Sequence, residues 1–86
     1  MNKEVQTLFI DDEEGIVDGI QRLFLKEPYG IIATTDIEHA RKALAQEKIK
    51  VIVCDHRMPV MLGVKFLKEV KANHPDVVRI HFTGYT

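Results

Sequence analysis

The chain has 86 residues, of which 45% are hydrophobic and 29% charged, and its formal net charge is −1 at pH 7. This length allows one domain of ordinary globular composition. The near-neutral charge argues against direct nucleic-acid binding or a polybasic membrane anchor. No apolar run approaches the ~20 residues of a membrane-spanning helix, and no targeting segment appears. The single cysteine, Cys54, excludes an internal disulfide, so we expect a domain of the reducing cytoplasm.

The first half of the chain predicts two strands and two helices. An apolar run predicts a strand over residues 5–10, and a second run predicts one over 31–35. Between them, apolar residues at helical spacing predict a helix over 14–26, with a buried stripe of Ile16, Ile20, Leu23 and Phe24. A second helix is predicted over 36–48, where the residues from Thr35 to Glu38 match a capping box.

The second half predicts two more strands and one more helix. Residues 51–54 and 77–82 form short apolar runs typical of strands. A helix over 63–73 would bury Phe66, Leu67 and Val70 and end before Pro75. Strands that alternate with helices indicate a parallel sheet with helices packed on it. Some doubly wound sheets place strand 2 outside strand 1 and strand 3 on its other side, with ligands at the carboxyl ends of strands 1 and 3.

Three carboxylates follow those two strand ends. Asp11 and Asp12 come directly after the first strand, and Asp55 comes directly after the third. Like charges brought together raise each other's pKa values, and a hard divalent cation such as Mg²⁺ relieves the repulsion. A metal-neutralised carboxylate at this position can act as a nucleophile toward phosphorus.

Four short motifs, in this order and at this spacing, resemble the receiver domain of bacterial two-component response regulators. They are the acidic pair Asp11-Asp12, the Asp-x-x-Met-Pro stretch over residues 55–59, a glycine at Gly63 that opens the third helix, and Thr83-Gly84 after the fourth strand. The resemblance covers the whole chain. It implies a flavodoxin-like doubly wound parallel sheet of strand order 2-1-3-4.

The resemblance also implies the role of each site residue. Asp55 would accept a phosphoryl group from a phosphohistidine of a sensor histidine kinase, forming an aspartyl phosphate. Asp11, Asp12, Asp55 and the backbone carbonyl of Arg57 would hold Mg²⁺. Thr83 would hydrogen-bond the phosphoryl oxygen and act as the switch. The partners would be that kinase and an output domain or downstream protein. The domain would not be an enzyme beyond its own phosphorylation and dephosphorylation.

Two departures from the family pattern stand out. Leu62 precedes Gly63, where receivers often carry a small polar or acidic residue, which suggests a weaker cap for the third helix. The family also continues with a helix, a fifth strand that ends in a lysine and a last helix. We therefore expect residues 1–86 to form a C-terminally incomplete receiver domain, with phosphorylation of poor yield or fast loss.

Simpler interpretations exist for several of these residues. Asp11 and Asp12 could be helix-capping acids, and Asp55 could be a turn residue ahead of a proline. His56 has no second histidine at ligand spacing and predicts a surface side chain. His81 predicts a partly buried strand residue, and Cys54 predicts an inert core thiol.

Two other functions compete with the phosphoacceptor. A phosphatase of the haloacid dehalogenase type needs Asp-x-Asp after its first strand, but Glu13 and Glu14 stand where the second aspartate is required. A phosphorylation-incompetent interaction module, acting through self-association, is the other alternative. An open edge at the fourth strand and a sheet face that only the first helix covers both predict self-association of the 86-residue chain. Edge pairing, burial of that face and exchange of elements between copies are the three possible modes, and a symmetric dimer that uses both the edge and the face is the expected one.

Overall fold

A computed structural model of the chain describes residues 4–55 and 60–82, with residues 55, 60–64 and 82 described in backbone only. Strands and helices alternate as predicted. The elements are β1 (Val5–Ile10), α1 (Glu14–Leu23), β2 (Gly30–Thr34), α2 (Ile37–Gln46), β3 (Val51–Asp55), α3 (Val60–Asn73) and β4 (Val78–Phe82). Within these described residues, no helix has both the length and the apolar character needed to cross a bilayer.

The four strands form one parallel sheet in the order β2-β1-β3-β4, which confirms the predicted order. β1 and β3 are the inner strands, and Ile10 of β1 lies between Thr34 of β2 and Cys54 of β3. The chain moves outward from β1 to β2 and then in the opposite direction through β3 to β4. Because each crossover is right-handed, this reversal puts α1 on one face of the sheet and α2 and α3 on the other.

The face covered by α2 and α3 holds the main hydrophobic core. Alternate side chains of the two inner strands meet the apolar sides of both helices, and Phe66 of α3 is the largest of the buried side chains. The members of this core are Leu8, Ile10, Ala40, Ala43, Leu44, Ile49, Ile52, Cys54, Phe66, Val70 and Val77. Burial of each large apolar side chain stabilises the fold by roughly 1.5–3 kcal/mol. The prediction that Cys54 is a core thiol is confirmed.

The α1 face is covered only in part by the described residues. Side chains alternate along a strand, so Val78 and Ile80 of β4 point to the face opposite the core, as do their register partners Val51 and Val53 of β3. Val78 is 57% exposed and Ile80 is 45% exposed. α1 packs against β2, which lies at the opposite edge of the sheet from β4. We call the surface formed by Val51, Val53, Val78 and Ile80 the open face.

α1 is shorter than predicted, and its apolar stripe was partly misassigned. The helix ends at Leu23, and Leu23 is 73% exposed rather than buried. Val17 is the buried residue of this helix. Gln21 lies one turn after Val17 on the side of α1 that meets β2, where its side-chain Nε2 donates to the backbone oxygen of Ala33 at 3.0 Å. Leu23 then lies on the opposite side of the helix axis.

α2 begins one residue later than the predicted capping box requires. Asp36, not Thr35, is the N-cap, and its Oδ1 accepts a hydrogen bond from the Glu38 N–H at 2.9 Å. Aspartate is at least as good an N-cap as threonine, which explains why Asp36 can cap the helix in place of Thr35. The helix also ends at Gln46, two residues before the predicted end.

α3 begins at Val60, three residues before the predicted start. Gly63 and Leu62 are therefore within the helix, and neither residue opens it or precedes its first turn. The stronger start signal is Pro59 in the sequence, because proline is favoured at the beginning of a helix. The end at Asn73, ahead of Pro75, agrees with the prediction.

The strand limits differ from the predicted ones by one residue at β2, β3 and β4. His81 was predicted to be partly buried and is exposed. Its strand is an outer strand of the described sheet, and its register partner Cys54 occupies the inner, buried position.

A charged contact joins the two helices of the covered face. Arg41 of α2 donates from Nε and Nη2 to the two carboxylate oxygens of Glu69 of α3, at 2.7 and 3.0 Å. Arg41 also pairs with Glu38 on its own helix. The hydrogen bond from Arg41 lowers the pKa of Glu69 below its ordinary value, and the same bond raises the pKa of Arg41. We call this contact the α2–α3 clasp.

Candidate functional site

The carboxyl ends of β1 and β3 lie side by side at one edge of the sheet. Ile10 and Cys54 are register partners, and Asp11 and Asp55 are the next residues of their chains. Neighbouring strands are about 4.8 Å apart, so the backbones of these two predicted site residues are adjacent. We call the group of Asp11, Asp12 and Asp55 the acidic rim. The side chain of Asp55 lies outside the described part.

Asp11 is the buried member of the acidic rim. It is fully buried, and its backbone N–H donates to the Thr34 carbonyl oxygen at 3.2 Å. Its Oδ1 accepts a hydrogen bond from the Glu13 N–H at 3.0 Å. A carboxylate is buried in a protein only where hydrogen bonds or a positive charge compensate it. Its position is therefore fixed from both sides, by β2 and by the start of α1.

Asp12 is the exposed member of the acidic rim. It lies between the buried Asp11 and the first residue of α1, and the next residues, Glu13 and Glu14, are exposed acids as well. Negative charge at this end of a helix is favourable because the N-terminus of the helix dipole is positive. The dipole accounts for acids in this stretch in general, but not for a buried aspartate at the end of β1.

The carboxyl end of β2 adds polar groups that the sequence patterns did not indicate. The oxygen of the Thr34 hydroxyl accepts a hydrogen bond from the Asp36 N–H at 3.0 Å and lies 3.1 Å from Nδ1 of His39. Thr34 is nearly buried, with 6% exposed. The register of Thr34 opposite Ile10 could have been inferred from the strand order, but the contact with His39 depends on how α2 begins.

Three residues singled out in the sequence fall outside the described residues. They are His56, Arg57, predicted to supply a backbone carbonyl to a metal, and Thr83, predicted to be the switch. Among the side chains that are described, no group of three or more histidine, cysteine or acidic residues is arranged to hold a metal ion. That finding does not include the Asp55 side chain.

The donor atoms at the acidic rim suit a hard cation. Asp11 presents a carboxylate at a fixed, buried position, Asp12 presents one at the solvent side, and the backbone of Asp55 is beside them. Oxygen ligands of this kind, completed by water, fit Mg²⁺. The residues present therefore fit the metal that the predicted chemistry requires.

Comparison with known proteins gives a consistent result. The family model of the response regulator receiver domain matches residues 7–86. The hydrogenase transcriptional regulatory protein HoxA of Cupriavidus necator is 39% identical over 85 residues, which cover 99% of this chain. The same match covers 17% of HoxA, so the chain spans about a sixth of that relative's length.

Solved receiver domains share the fold, and two of them serve as examples. The receiver domain of NtrC4 from Aquifex aeolicus has a TM-score of 0.71 and 32% identity, and the match covers 96% of this chain and 68% of that one. The signal receiver domain of an HD domain-containing protein from Pseudomonas fluorescens Pf-5 has a TM-score of 0.79 and 25% identity. That match covers 98% of this chain and 66% of the other.

Proposed function

The chain belongs to the response-regulator receiver family of two-component signalling, and on that premise we propose that it is a phosphoacceptor domain that receives a phosphoryl group on Asp55. The donor is the phosphohistidine of a sensor histidine kinase, and the reaction requires Mg²⁺. One observation supports this assignment most directly. The strand register puts Asp55 next to the buried Asp11 at the carboxyl ends of the two inner strands.

Each residue of the acidic rim has a separate task in this proposal. An oxygen of the Asp55 carboxylate attacks the phosphorus atom, and the bond from phosphorus to the histidine nitrogen breaks. Asp11, Asp12, Asp55 and the backbone carbonyl of Arg57 would hold the Mg²⁺. When bound, the metal neutralises charge on the transferring phosphoryl group. The Thr83 hydroxyl donates a hydrogen bond to a phosphoryl oxygen of the product and acts as the switch.

The experiment that tests this function is phosphorylation of the chain by a small acyl phosphate. In the presence of Mg²⁺ we expect intact-mass spectrometry to show one added phosphate, and no addition after Mg²⁺ is removed by a chelator. Asp55→Asn is expected to abolish the addition, while Asp76→Asn, an equal change at an exposed aspartate beyond α3, is expected to leave it intact. Phosphate retained on the Asp55→Asn protein would identify a different nucleophile and contradict the proposal.

The partners of the domain follow from the same function. The kinase is the phosphoryl donor, and the signal is passed to an output domain or to a separate protein. The relative HoxA is named a transcriptional regulatory protein, which supports a regulator of gene expression as the output. We place the domain in the cytoplasm, where a thiol such as that of Cys54 stays reduced.

We also propose that the 86-residue chain associates with itself. Val78 and Ile80 of the open face are 57% and 45% exposed. Burial of such side chains against a second copy is favourable. The outer edge of β4 is less suited to pairing, because Arg79 is exposed there and charged residues oppose strand addition. A symmetric dimer through the open face is therefore the arrangement we favour.

A further inference from the structure

The hydroxyl group of Thr34, at the carboxyl end of β2, is the centre of a small hydrogen-bonded cluster. The oxygen accepts the Asp36 N–H at 3.0 Å and lies 3.1 Å from Nδ1 of His39. Because a hydroxyl group has one proton and two lone pairs, it can satisfy both contacts at the same time. The loop that leads from β2 into α2 is therefore tied to one nearly buried oxygen.

The same residue holds the buried aspartate of the acidic rim through its backbone. The Thr34 carbonyl accepts the Asp11 N–H at 3.2 Å. Thr34 is also the register partner of Ile10, so this hydrogen bond continues the pairing of β1 with β2 by one residue, into the rim. A displacement of Thr34 is therefore transmitted directly to the backbone of Asp11.

The support for Thr34 comes from the first turn of α2. Asp36 is the N-cap of that helix, and His39 lies within its first turn. α2 is packed into the core through Ala40, Ala43 and Leu44, which are all buried. The two contacts to the Thr34 hydroxyl thus connect the end of β2 to a helix that is fixed by the core.

We propose that Thr34 and His39 form a positioning pair that sets the place of Asp11 for metal binding. This role rests on the proposed function, in which Asp11 is a ligand of Mg²⁺. The pair acts through the backbone of Asp11 and touches neither the metal nor the phosphoryl group. Mg²⁺ demands a nearly ideal octahedral arrangement of ligands, so a small displacement of one carboxylate is enough to weaken it.

The test compares three variants of the full chain. Thr34→Val keeps the shape of the side chain and removes the hydroxyl group, Thr34→Ser keeps the hydroxyl group, and His39→Ala removes the ring. Two quantities are measured by amide nuclear magnetic resonance. The first is the dissociation constant of Mg²⁺, and the second is the hydrogen-exchange rate of the Asp11 amide without Mg²⁺. Thr35→Val is the matched control, because it makes the same chemical change at the residue that follows Thr34.

We expect Thr34→Val to weaken Mg²⁺ binding about three- to tenfold and to speed exchange of the Asp11 amide by a similar factor, because a change of this size corresponds to the net contribution of about one hydrogen bond. His39→Ala is expected to have a smaller effect in the same direction, about twofold. Thr34→Ser and Thr35→Val are expected to stay near the unsubstituted chain. Rescue by serine separates a hydrogen-bonding role from a role in packing.

The outcomes that contradict the proposal differ from those that contradict the function. If the unsubstituted chain binds Mg²⁺ at Asp11 and Thr34→Val changes neither the affinity nor the exchange rate, the positioning role is wrong. An effect of Thr35→Val as large as that of Thr34→Val would also overturn it. If the unsubstituted chain shows no Mg²⁺ response at Asp11, the proposed function itself is wrong, and the role of the pair toward the metal falls with it.

Discussion

On the face of the sheet covered by α2 and α3, Ile52 of β3 is fully buried, whereas on the opposite face Ile80 of the neighbouring strand is 45% exposed. Both side chains are apolar, and both belong to strands of one sheet. The difference comes from the helices, because two of the three described helices pack on the first face and one, α1, packs on the second, near β2. Among the described residues, the covered face therefore buries the main apolar core, while the open face leaves Val78 and Ile80 in contact with solvent.

The largest effect is expected from truncation of a side chain in the covered face. Phe66 is 2% exposed and packs in the core between α3 and the sheet. Phe66→Ala leaves a cavity, which typically costs about 3–5 kcal/mol in the free energy of unfolding. A small domain has about 5–15 kcal/mol in total, so we expect a much lower urea midpoint or loss of folding. Circular dichroism during urea unfolding measures the change.

The matched variant on the open face is Ile80→Ala. Because its side chain is already partly exposed, we expect a loss of about 1 kcal/mol or less when the protein is dilute and unassociated. The comparison of the two faces fails if Ile80→Ala destabilises the dilute protein as much as Phe66→Ala does.

The second effect concerns association through the open face. Ile80→Lys puts a charge into the proposed contact, and we expect it to lower the average mass measured by light scattering over a range of protein concentrations. Ala45→Lys adds the same charge at an exposed position of α2, on the outer side of the covered face, and is expected to leave the mass unchanged. A well-folded monomer of the unsubstituted chain at high concentration would show that the open face tolerates its exposure to water.

The smallest effect is expected at the α2–α3 clasp. The hydrogen bond from Arg41 lowers the pKa of Glu69 in the folded state. A carboxylate with a lowered folded pKa contributes stability that is fully present above its unfolded pKa, near 4.3, and is lost as the pH falls through the folded value. Glu69→Gln is therefore expected to reduce the urea midpoint slightly at pH 7, and the difference from the unsubstituted chain should shrink below about pH 4.

Glu38→Gln is the control for the clasp, because Glu38 pairs with Arg41 within one helix and at a more exposed side chain. We expect a weaker effect from Glu38→Gln than from Glu69→Gln at pH 7. A difference between Glu69→Gln and the unsubstituted chain that stays constant from pH 7 to pH 3 would mean that the charge of Glu69 does not contribute.

The order of the elements and of the strands was predictable, because short apolar runs alternating with helical patterns leave few parallel arrangements. The position of Asp11 beside Asp55 followed from that order. The orientation of α1 was not predictable, since the periodicity of Leu23 fits the buried stripe, whereas the structure buries Val17 and brings Gln21 to the Ala33 carbonyl. The predicted start of α3 at Gly63 is wrong, because the helix begins at Val60, directly after Pro59.

The contacts around Thr34 could not be predicted, for a different physical reason. A threonine followed by an aspartate favours more than one local hydrogen-bonding pattern, and Thr35 and Asp36 are both acceptable caps. The choice of Asp36 places the first turn of α2 and brings His39 to the Thr34 hydroxyl. Local preferences of nearly equal strength are decided by the packing of the helix, which a sequence pattern does not contain.

Asp11, Asp12 and Asp55 are proposed to share one Mg²⁺ site at the carboxyl end of the sheet. Titration with Mg²⁺, followed through the amide resonances of the uniformly labelled chain, tests it most directly. We predict weak, saturable binding, because few protein ligands and several waters hold the ion, with the largest shifts at Asp11, Asp12, Asp55 and Arg57. Shifts confined to other acidic residues, such as Glu13 and Asp76, would contradict the claim.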